Sequence, residues 1–420
     1  MSPSALLSRG ASPQALPAPS PGPRRAPLAG FLGGTLLTQI VNNALHLAQP
    51  LLMAHLTGSL GWAAFFTSAE TGVHMAGTFA GGWPCDKLGS RRLLILSTFL
   101  RGAALAIVPL AWVAGALTIQ VAVVAYTLDA VVRGLVDTAV HALPLELAER
   151  DRSELDRLNA RFELAFDLGG VIGPVGLAVL MTRSDSWLPH AVIAGGFVLS
   201  AGVYCLVPRT SGARRSAEAV AKDPGGSWDG LKLVLSDPAL RWSCVGLALL
   251  NLYPLRKLMS AFFAKGILLK PAYAGWVGAA FGLGGIAGSL LFTARGGRAS
   301  GRRWIGAGAI GTLALATAWM PGALWPMVAG VFVFATLNAA ARLSMTGVLQ
   351  DATPLTAAGG VTAVARASSN AVSVALKALL GVAFALGAAP RAAFGIVGLG
   401  LGTVAAVQLV LAARLARPRA

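Results

Sequence analysis

Apolar stretches of membrane-spanning length recur along this whole sequence, and they constrain its fold more than any other feature. A helix that crosses the hydrocarbon core of a bilayer needs about 20 predominantly apolar residues. Only 12% of the residues are charged, against about 25% in a typical soluble domain. The sequence therefore predicts an all-α polytopic membrane protein. Twelve stretches qualify as spans, at about 29–55, 62–84, 92–113, 118–147, 160–182, 188–207, 239–264, 272–294, 302–320, 323–348, 358–386 and 391–413.

The twelve predicted spans fall into two groups of six, separated by a polar segment. Residues 1–28 are rich in Pro, Ala and Ser and have no apolar core of the kind that a secretory signal needs. We therefore expect that segment to be a disordered cytoplasmic tail. The predicted units are this tail at 1–28, a first six-helix bundle at 29–207, a cytoplasmic linker at 208–238, a second six-helix bundle at 239–413 and a cytoplasmic tail at 414–420.

The distribution of Lys and Arg predicts the orientation of the spans. With the N-terminus inside, the cytoplasmic segments hold 23 of these bases and the outer loops hold four: Arg183, Lys265, Lys270 and Arg391. Cytoplasmic loops of membrane proteins carry such an excess of bases. Both termini are therefore predicted to be cytoplasmic. The same distribution accounts for the net charge of +17 without a nucleic-acid partner.

The short segment between the second and third spans reads as a tight cytoplasmic turn. Asp86 follows a helix end and is expected to pair with Arg91 or Arg92. Gly89 gives the backbone the freedom that a turn needs, and Gly82 lets neighbouring helices approach closely. A similar glycine-and-base turn, without the acid, recurs at 297–303 in the second half. Many secondary transporters are built from such internal repeats.

Ionisable residues inside the predicted spans divide by sign between the two halves. Each costs at least about 2.5–3.5 kcal/mol at mid-bilayer, so each is expected to face a partner or a water-filled space. The sequence from 239 to 413 has no acid within a predicted span, since Asp351 lies at a span end. The candidates are Glu70, His74, Asp129, Arg133, Asp137 and Asp167 in the first half, and Arg256, Lys257, Arg342, Arg366 and Lys377 in the second half.

Two groups of these residues are candidates for proton coupling. Asp129, Arg133 and Asp137 are spaced i, i+4, i+8 and share one helix face. They form either an ion-pair ladder that holds the fourth span to its neighbours or a site where the arginine sets the proton affinity of an acid. Glu70 and His74 make a second relay candidate. The predicted proton-coupling residues are Asp129, Asp137, Glu70, Asp167 and Arg133.

Polar residues on the first span and bases in the second half are candidates for contacting a substrate. Asn42 and His46 share a helix face, where they either bond to neighbouring helices or line a cavity. Arg256 and Lys257 are adjacent and point about 100° apart, so we expect Arg256 to face inward and Lys257 to extend outward. Arg342 and Arg366 lie near span ends, and Lys377 lies deeper. The predicted substrate-binding residues are Asn42, His46, His74, Asn251, Arg256, Asn338 and Lys377.

Signatures of enzymes, ATPases and metal proteins are absent from the sequence. It contains no Walker A motif, no H-E-x-x-H and no C-x-x-C. Its three cysteines are scattered and predict no disulfide framework. The glycine-rich run at 282–288 lies inside a span, where small residues indicate helix packing. We expect no catalytic residue, no metal and no cofactor, and a proton gradient as the energy source.

Three stretches resemble the major facilitator superfamily, in particular its bacterial drug and siderophore exporters of the enterobactin-exporter type. The spacing G-x-x-x-D-K-x-G-x-R-R at 82–92 resembles the loop between helices 2 and 3 of that family. Residues 143–147 followed by 157–162 resemble its helix 4–5 connection. Gly169, Gly173 and Pro174 are similar to its G-x-x-x-G-P antiporter motif. The resemblance implies a conformational-gate loop made of Gly82, Asp86, Gly89, Arg91 and Arg92.

The predicted function is secondary active transport, with proton-coupled export of a small organic molecule such as a drug or a siderophore. The surplus of bases in the second half favours a substrate with anionic or chelating groups. Proton-coupled import of an acidic metabolite or siderophore, a lysophospholipid flippase and a non-transporting membrane sensor stay open as alternatives. We expect a monomer in the inner membrane of a bacterium.

Overall fold

Every regular element that the structure describes is an α-helix. A computed structural model describes residues 25–81, 84–85, 88–147, 152–183, 187–207, 227–295, 301–353 and 358–414. The first part holds α1 (Arg25–Leu56), α2 (Leu60–Ala80), α3 (Ser90–Val113), α4 (Ile119–Leu147), α5 (Arg152–Arg183) and α6 (Leu188–Tyr204). The second part holds α7 (Ser227–Ser236), α8 (Pro238–Leu250), α9 (Tyr253–Gly266), α10 (Tyr273–Ala294), α11 (Gly301–Thr317), α12 (Leu324–Ala352), α13 (Ala358–Ser369), α14 (Ala371–Ala385) and α15 (Pro390–Arg414).

Each predicted span coincides with one helix or with two consecutive helices. By length and composition, seven of the described helices can cross a membrane, or eight when the bent pair Gly230–Ser236 and Leu240–Gly266 is counted as one span. α1 and α2 have 32 and 21 residues but are outside that set, because polar side chains such as Gln49 and Glu70 lower their mean hydropathy. The all-helical, multi-pass architecture is confirmed, and the number twelve stays a prediction.

Two predicted spans, 239–264 and 358–386, are broken in the structure. The first divides into α8 and α9 at Asn251 and Leu252, directly before Tyr253 and Pro254. Proline lacks an amide hydrogen and disfavours helical conformation in the residue before it, so a helix break here follows from the sequence. The second span divides into α13 and α14 at Asn370. The Asn251 side-chain amide donates to Asn370 Oδ1 at 3.0 Å, which joins the two breaks.

Glycines bring the helices of the two parts into close contact. A Cβ on Gly169 would lie 2.5 Å from Gln39 Cβ, and one on Gly173 would overlap the Ile40 carbonyl, so this face of α5 packs directly on α1. A Cβ on Gly278 of α10 would lie 2.7 Å from Pro174 Cβ. The motif at 169–174 therefore holds α5 against helices of both parts, as small residues do in membrane bundles.

The glycine-rich run at 282–288 serves the same purpose on α10. A Cβ on Gly282 would lie 2.6 Å from Val171 Cγ2 of α5, and one on Gly284 would lie 2.7 Å from Ala335 Cβ of α12. Gly288 meets the carbonyl of Thr336 on α12. Two faces of α10 thus pack against two different helices, which confirms the helix-packing interpretation of this run.

The turn between α2 and α3 is described in part. Gly82 and Asp86 lie outside the described residues, so the predicted pairing of Asp86 with a base lies there too. Gly89 has a φ of 78°, a conformation that favours glycine. Arg91 donates through Nη2 to the Cys205 carbonyl at 3.0 Å and through Nε to the Val207 carbonyl, while Arg92 is exposed. Arg91 therefore binds the orphan carbonyl groups that follow α6.

Part of the predicted linker is helical. Within 208–238, α7 packs against α13 and against the end of α2. Trp228 meets Phe79 edge to face, with ring centroids 5.8 Å apart. Val234 is buried with Leu240 and Val361. The few apolar residues of the linker are thus enough to dock one short helix.

Candidate functional site in the helix interior

Three acid–base pairs connect α4 to its neighbours, and the deepest joins Asp129 to Arg101 of α3. Arg101 Nε donates to Asp129 Oδ1 at 2.7 Å, and both side chains are 2% exposed. Arg101 also donates through Nη2 to Asn42 Oδ1 of α1 at 3.0 Å and stacks over the Phe197 ring at 4.1 Å. One guanidinium therefore links α1, α3 and α4 and, through the Phe197 ring, α6.

The second pair joins Arg133 of α4 to Glu70 of α2. Arg133 Nη2 donates to Glu70 Oε1, and Gln49 Nε2 of α1 donates to Glu70 Oε2 at 2.9 Å. The ring of His46 lies beside the same arginine, with Nε2 3.3 Å from Nη1. Both charged side chains are buried. This pair therefore brings together four polar groups from three helices.

The third pair, between His74 of α2 and Asp137 of α4, is the accessible one. His74 Nε2 lies 2.7 Å from Asp137 Oδ2. The side chain of Asp137 is 40% exposed, against 4% for Glu70 and 2% for Asp129. Along both helices this pair lies nearest to the turn that precedes α3. Asp137 is thus the member of the set that water reaches most easily.

The pairing partners differ from the intrahelical arrangement that the spacing allows. Asp129, Arg133 and Asp137 do share one face of α4, and each bonds to a residue of α2 or α3 rather than to its neighbour on α4. Glu70 and His74 likewise bond to α4 rather than to each other. A side chain on a facing helix points toward the charged group. A side chain four residues away on the same helix lies beside that group on the same surface. The structure therefore shows the interhelical ladder.

The bases of the second half lie in the same interior. Lys377 of α14 is 4% exposed and donates to Thr71 Oγ1 at 2.7 Å and to the Thr67 carbonyl at 3.2 Å, both on α2. Arg256 is 2% exposed, as the predicted inward position requires. Lys257 is 3% exposed, so the expectation that it extends outward is wrong. Tyr253 explains the error: residues i+3 and i+4 both lie beside residue i on a helix.

Asn251 and Asn338 are engaged at the helix break between α8 and α9. Asn338 Nδ2 donates to the Leu250 carbonyl at 2.8 Å, and Asn251 Nδ2 donates to Ser369 Oγ at 3.2 Å as well as to Asn370. Gln408 Nε2 of α15 donates to the Leu249 carbonyl at 2.9 Å. These amides satisfy backbone and side-chain groups that the break exposes, so their geometry is that of helix support.

The remaining candidates lie around this interior at different depths. Asp167 of α5 is half-buried and faces α10, where a Cβ on Gly285 would lie 2.9 Å from Asp167 Oδ1. Arg342 is half-buried on α12, and Arg366 on α13 is exposed. The structure therefore brings Glu70, Arg133 and His46 together, and it leaves Arg366 at the surface.

Sequence reasoning did not single out Arg101 or Tyr253. Arg101 lies ten residues inside the third span, so the cost of a charge in lipid was a sufficient signal for it. Tyr253 had no such signal, because an uncharged tyrosine inside a predicted span carries no cost of that kind. In the structure its hydroxyl donates to Asn43 Oδ1 of α1. Among the described residues, no group of three His, Cys, Asp or Glu side chains is placed to hold a metal ion.

Comparison with known proteins places this arrangement among membrane transporters. Residues 31–269 match the model of the Major Facilitator Superfamily. The multidrug efflux pump Tap of Mycolicibacterium fortuitum is 30% identical over 64% of this chain and 66% of its own length. The Tap pump of Mycobacterium bovis is 32% identical over 39% of this chain and 41% of its own length. The chain thus matches less than two thirds of either relative.

A solved structure shares the fold. A bacterial homologue of the human drug peptide transporters superposes with a TM-score of 0.68 at 15% identity, and the superposition covers 93% of this chain and 97% of that one. At that level of identity the likeness concerns the arrangement of helices alone.

Proposed function

The chain belongs to the Major Facilitator Superfamily, and from that premise we propose that it exports a small organic molecule in exchange for protons. The observation that carries the proposal is the set of buried acid–base pairs on α4, in which Asp137 is half-exposed and Glu70 is enclosed. Buried carboxylates held by bases are groups whose protonation responds to a change of partner. The relatives named as multidrug efflux pumps support the outward direction.

The proposed architecture is two six-helix bundles, at 29–207 and 239–413, with twelve crossings and both termini in the cytoplasm. Ser236 and Ala114 are exposed residues that this topology places on opposite sides of the membrane. In a background without the native cysteines, we expect Ser236→Cys to react with an impermeant maleimide only in inverted vesicles and Ala114→Cys only in intact cells. Labelling of both variants from one side contradicts the topology.

In the proposed cycle, Glu70 and Asp137 carry the protons. A proton that reaches Asp137 weakens its bond to His74, and a proton on Glu70 releases Arg133 and Gln49. Loss of these bonds loosens α2 within the first bundle, and because α2 packs on α14 of the second bundle, it changes the contact across which the two bundles rock. Asp129 and Asp167 are further acids of the same interior, and no cofactor takes part. The proposed location is the inner membrane of a bacterium, with the protein as a monomer.

The substrate belongs to one of two classes that the observations favour differently. The relatives favour a drug, because both are named as multidrug pumps. The excess of buried bases in the second half favours a molecule with anionic or chelating groups, as siderophores have. Both classes fit one exporter when the drug itself carries an acidic group.

Transport in inverted vesicles tests the proposal. With an acidic interior, we expect vesicles that contain the protein to accumulate one or more members of a panel of anionic, neutral and cationic fluorescent dyes. The limit is about tenfold per exchanged proton for each pH unit, because a tenfold ratio corresponds to about 1.4 kcal/mol. A protonophore should abolish this accumulation. Accumulation of no dye, or accumulation without regard to the gradient, contradicts the proposal.

The variant Glu70→Gln tests whether gradient-driven accumulation depends on the buried ion pairs. It keeps the shape of the side chain but cannot release a proton, so we expect dye to equilibrate across the membrane without accumulation. Asp237→Asn, at the junction of α7 and α8 and away from the buried pairs, is the matched control and should accumulate dye as the wild type does. Gradient-driven accumulation by Glu70→Gln at the wild-type level excludes Glu70 as a carrier.

A further inference from the structure

Two adjacent buried cations on α9 lie against aromatic rings instead of acids. Arg256 Cζ lies 4.0 Å from the centroid of the Phe281 ring and 5.1 Å from that of Tyr253. Lys257 Nζ lies 3.9 Å from the centroid of the same Tyr253 ring. We call Arg256 and Lys257 the α9 cation pair. Both members are at least 97% buried, so bulk water does not solvate them.

The α9 cation pair has unused hydrogen-bond donors. Arg256 Nε and Nη1 and Lys257 Nζ have no hydrogen-bond partner among the described residues. Most buried polar groups in proteins have such a partner. Glu70, the acid within electrostatic range of Lys257, bonds to Arg133 instead. The second half supplies no acid within its predicted spans.

The aromatic contacts are too weak to account for two buried charges. Burial of one ion costs more free energy, even after relaxation of the protein, than a cation–π contact returns. A guanidinium does not lose its proton in proteins, so Arg256 stays charged. An anion that binds to the free donors offsets the remaining cost of burial. A stabilising role for the pair would instead require acids beside it.

We propose that the α9 cation pair is the subsite for the acidic group of the exported molecule, and that this molecule is an aromatic carboxylic acid; the assignment rests on the proposed transport function. The fork of an arginine binds a carboxylate through two parallel hydrogen bonds. Tyr253 and Phe281 have ring centroids 4.9 Å apart and are half-buried, so they are the aromatic neighbours of a ring attached to that carboxylate.

The position of the subsite suits a transported ligand. The Tyr253 hydroxyl donates to Asn43 of α1, and Lys257 lies within electrostatic range of Arg133 and Lys377. The subsite therefore adjoins the contact between the two halves and the ion pair of Glu70. A carboxylate seated there bonds to cations of the second half and lies near the acids of the first half, whose protons drive the cycle.

Thermal unfolding of the purified full chain in detergent tests the subsite with simple probes. The probes are sodium benzoate, benzamide and sodium acetate at one ionic strength. Benzamide has the ring without the charge, and acetate has the charge without the ring. We expect benzoate to raise the unfolding midpoint with saturation, acetate to need at least about tenfold higher concentration, and benzamide to leave the midpoint unchanged. An equal response to benzoate and acetate, or any saturable response to benzamide, overturns the assignment.

Variants assign the response to the two side chains. Arg256→Gln and Lys257→Met should abolish the benzoate response, and Lys265→Gln, a half-buried base on the same helix, should keep it. Without ligand, both site variants should unfold at or above the wild-type midpoint, because each removes a buried charge that has no counter-ion. A retained benzoate response in both site variants overturns the proposal. A lower midpoint without ligand in both does so too, since it shows a structural role for the cations.

The two proposals fail separately. Gradient-driven dye accumulation without any benzoate response leaves transport standing and removes the subsite. A benzoate response that depends on Arg256, in a protein whose vesicles accumulate no dye, retains the anion subsite and removes its role in export.

Discussion

At the scale of single residues, Arg101 has the most complete set of partners of any buried charge in the described part of the chain. It bonds to Asp129 and Asn42 and stacks on Phe197. Removal of one member of a buried pair costs about 3–5 kcal/mol, because the other charge stays buried without a partner. Each member of the pair of Arg101 and Asp129 is therefore expected to be needed for stability as long as the other is present.

Arg101→Met should lower stability by about 3–5 kcal/mol, measured by thermal unfolding in detergent. The double variant Arg101→Met with Asp129→Leu should restore most of that loss, because apolar residues of similar volume replace a buried pair at little cost. Arg92→Met, an exposed arginine on the same helix, is the control and should change the midpoint little. A double variant as unstable as the single one would contradict the pairing.

The sequence predicted which charges are buried better than it predicted their partners. The burial of Glu70, Asp129 and Arg133 follows from the cost of a charge in lipid alone. The partner of each depends on how α2, α3 and α4 face one another, which no local spacing reports. Lys257 shows the limit of helix geometry, because an angle of about 100° between neighbours does not prevent both from lying beside Tyr253.

At the scale of elements, α5 depends on glycines that have no space for a side chain. Gly173 lies against the carbonyl of Ile40 on α1, whereas Gly176, three residues later on the same helix, has no atom within 4 Å of an added Cβ. The two positions share a helix and a residue type, but Gly173 is buried and Gly176 is exposed. An alanine substitution at each position therefore distinguishes the effect of packing from the effect of helix propensity.

Gly173→Ala should destabilise the protein by about 1–3 kcal/mol, the usual cost of an overpacked site, and should reduce dye accumulation because α1 and α5 move apart. Gly176→Ala should be neutral or stabilising by up to about 1 kcal/mol, because alanine favours the helix. The unfolding midpoint and the vesicle assay check both. Equal midpoints for the two variants would show that α5 does not pack on α1 through Gly173.

Element boundaries were predictable where a local signal exists. Pro254 marks the break between α8 and α9, and the other ends of the helices lie within a few residues of the hydropathy boundaries, except that α5 begins at Arg152 instead of at about 160. The break at Asn370 has no proline or glycine beside it. It is held by hydrogen bonds from Asn251 and by the Ser373 hydroxyl, which donates to the Asn251 carbonyl at 2.7 Å. Only the tertiary structure shows such support.

At the scale of the whole molecule, the two halves meet along α2 and α14. A Cβ on Gly381 of α14 would lie 3.4 Å from Ala64 Cβ of α2, and one on Gly61 would lie 3.0 Å from the Ala385 amide nitrogen. The Ser68 hydroxyl donates to the Val374 carbonyl at 3.0 Å. This contact lies at the end of α2 that is opposite the turn before α3.

A disulfide across this contact should hold the halves together. The separation of 3.4 Å between the Cβ positions of Ala64 and Gly381 is close to the range of about 3.5–4.5 Å in disulfides. In a background without the native cysteines, Ala64→Cys with Gly381→Cys should crosslink on oxidation and stop dye accumulation, and a reductant should restore it. Full accumulation by the oxidised protein would show that α2 and α14 need not separate.

The pair Gly72→Cys with Gly381→Cys is the matched control, because Gly72 lies on the same helix with no atom within 4 Å of an added Cβ. It should not crosslink.

The layout of helices was predictable from hydropathy, because lipid acts on each apolar stretch separately. The contact between α2 and α14 joins residues about 300 positions apart, so it depends on packing that the sequence pattern does not encode.

Because Lys377 of α14 is hydrogen-bonded to α2, separation of α2 and α14 requires water to enter between them. When α14 moves away, the ammonium group loses the Thr67 carbonyl and the Thr71 hydroxyl together. A buried ammonium ion without ligands is costly, so water must enter the gap as it widens. Opening at this end is therefore coupled to wetting, and solutes that withdraw water from narrow spaces favour the closed form.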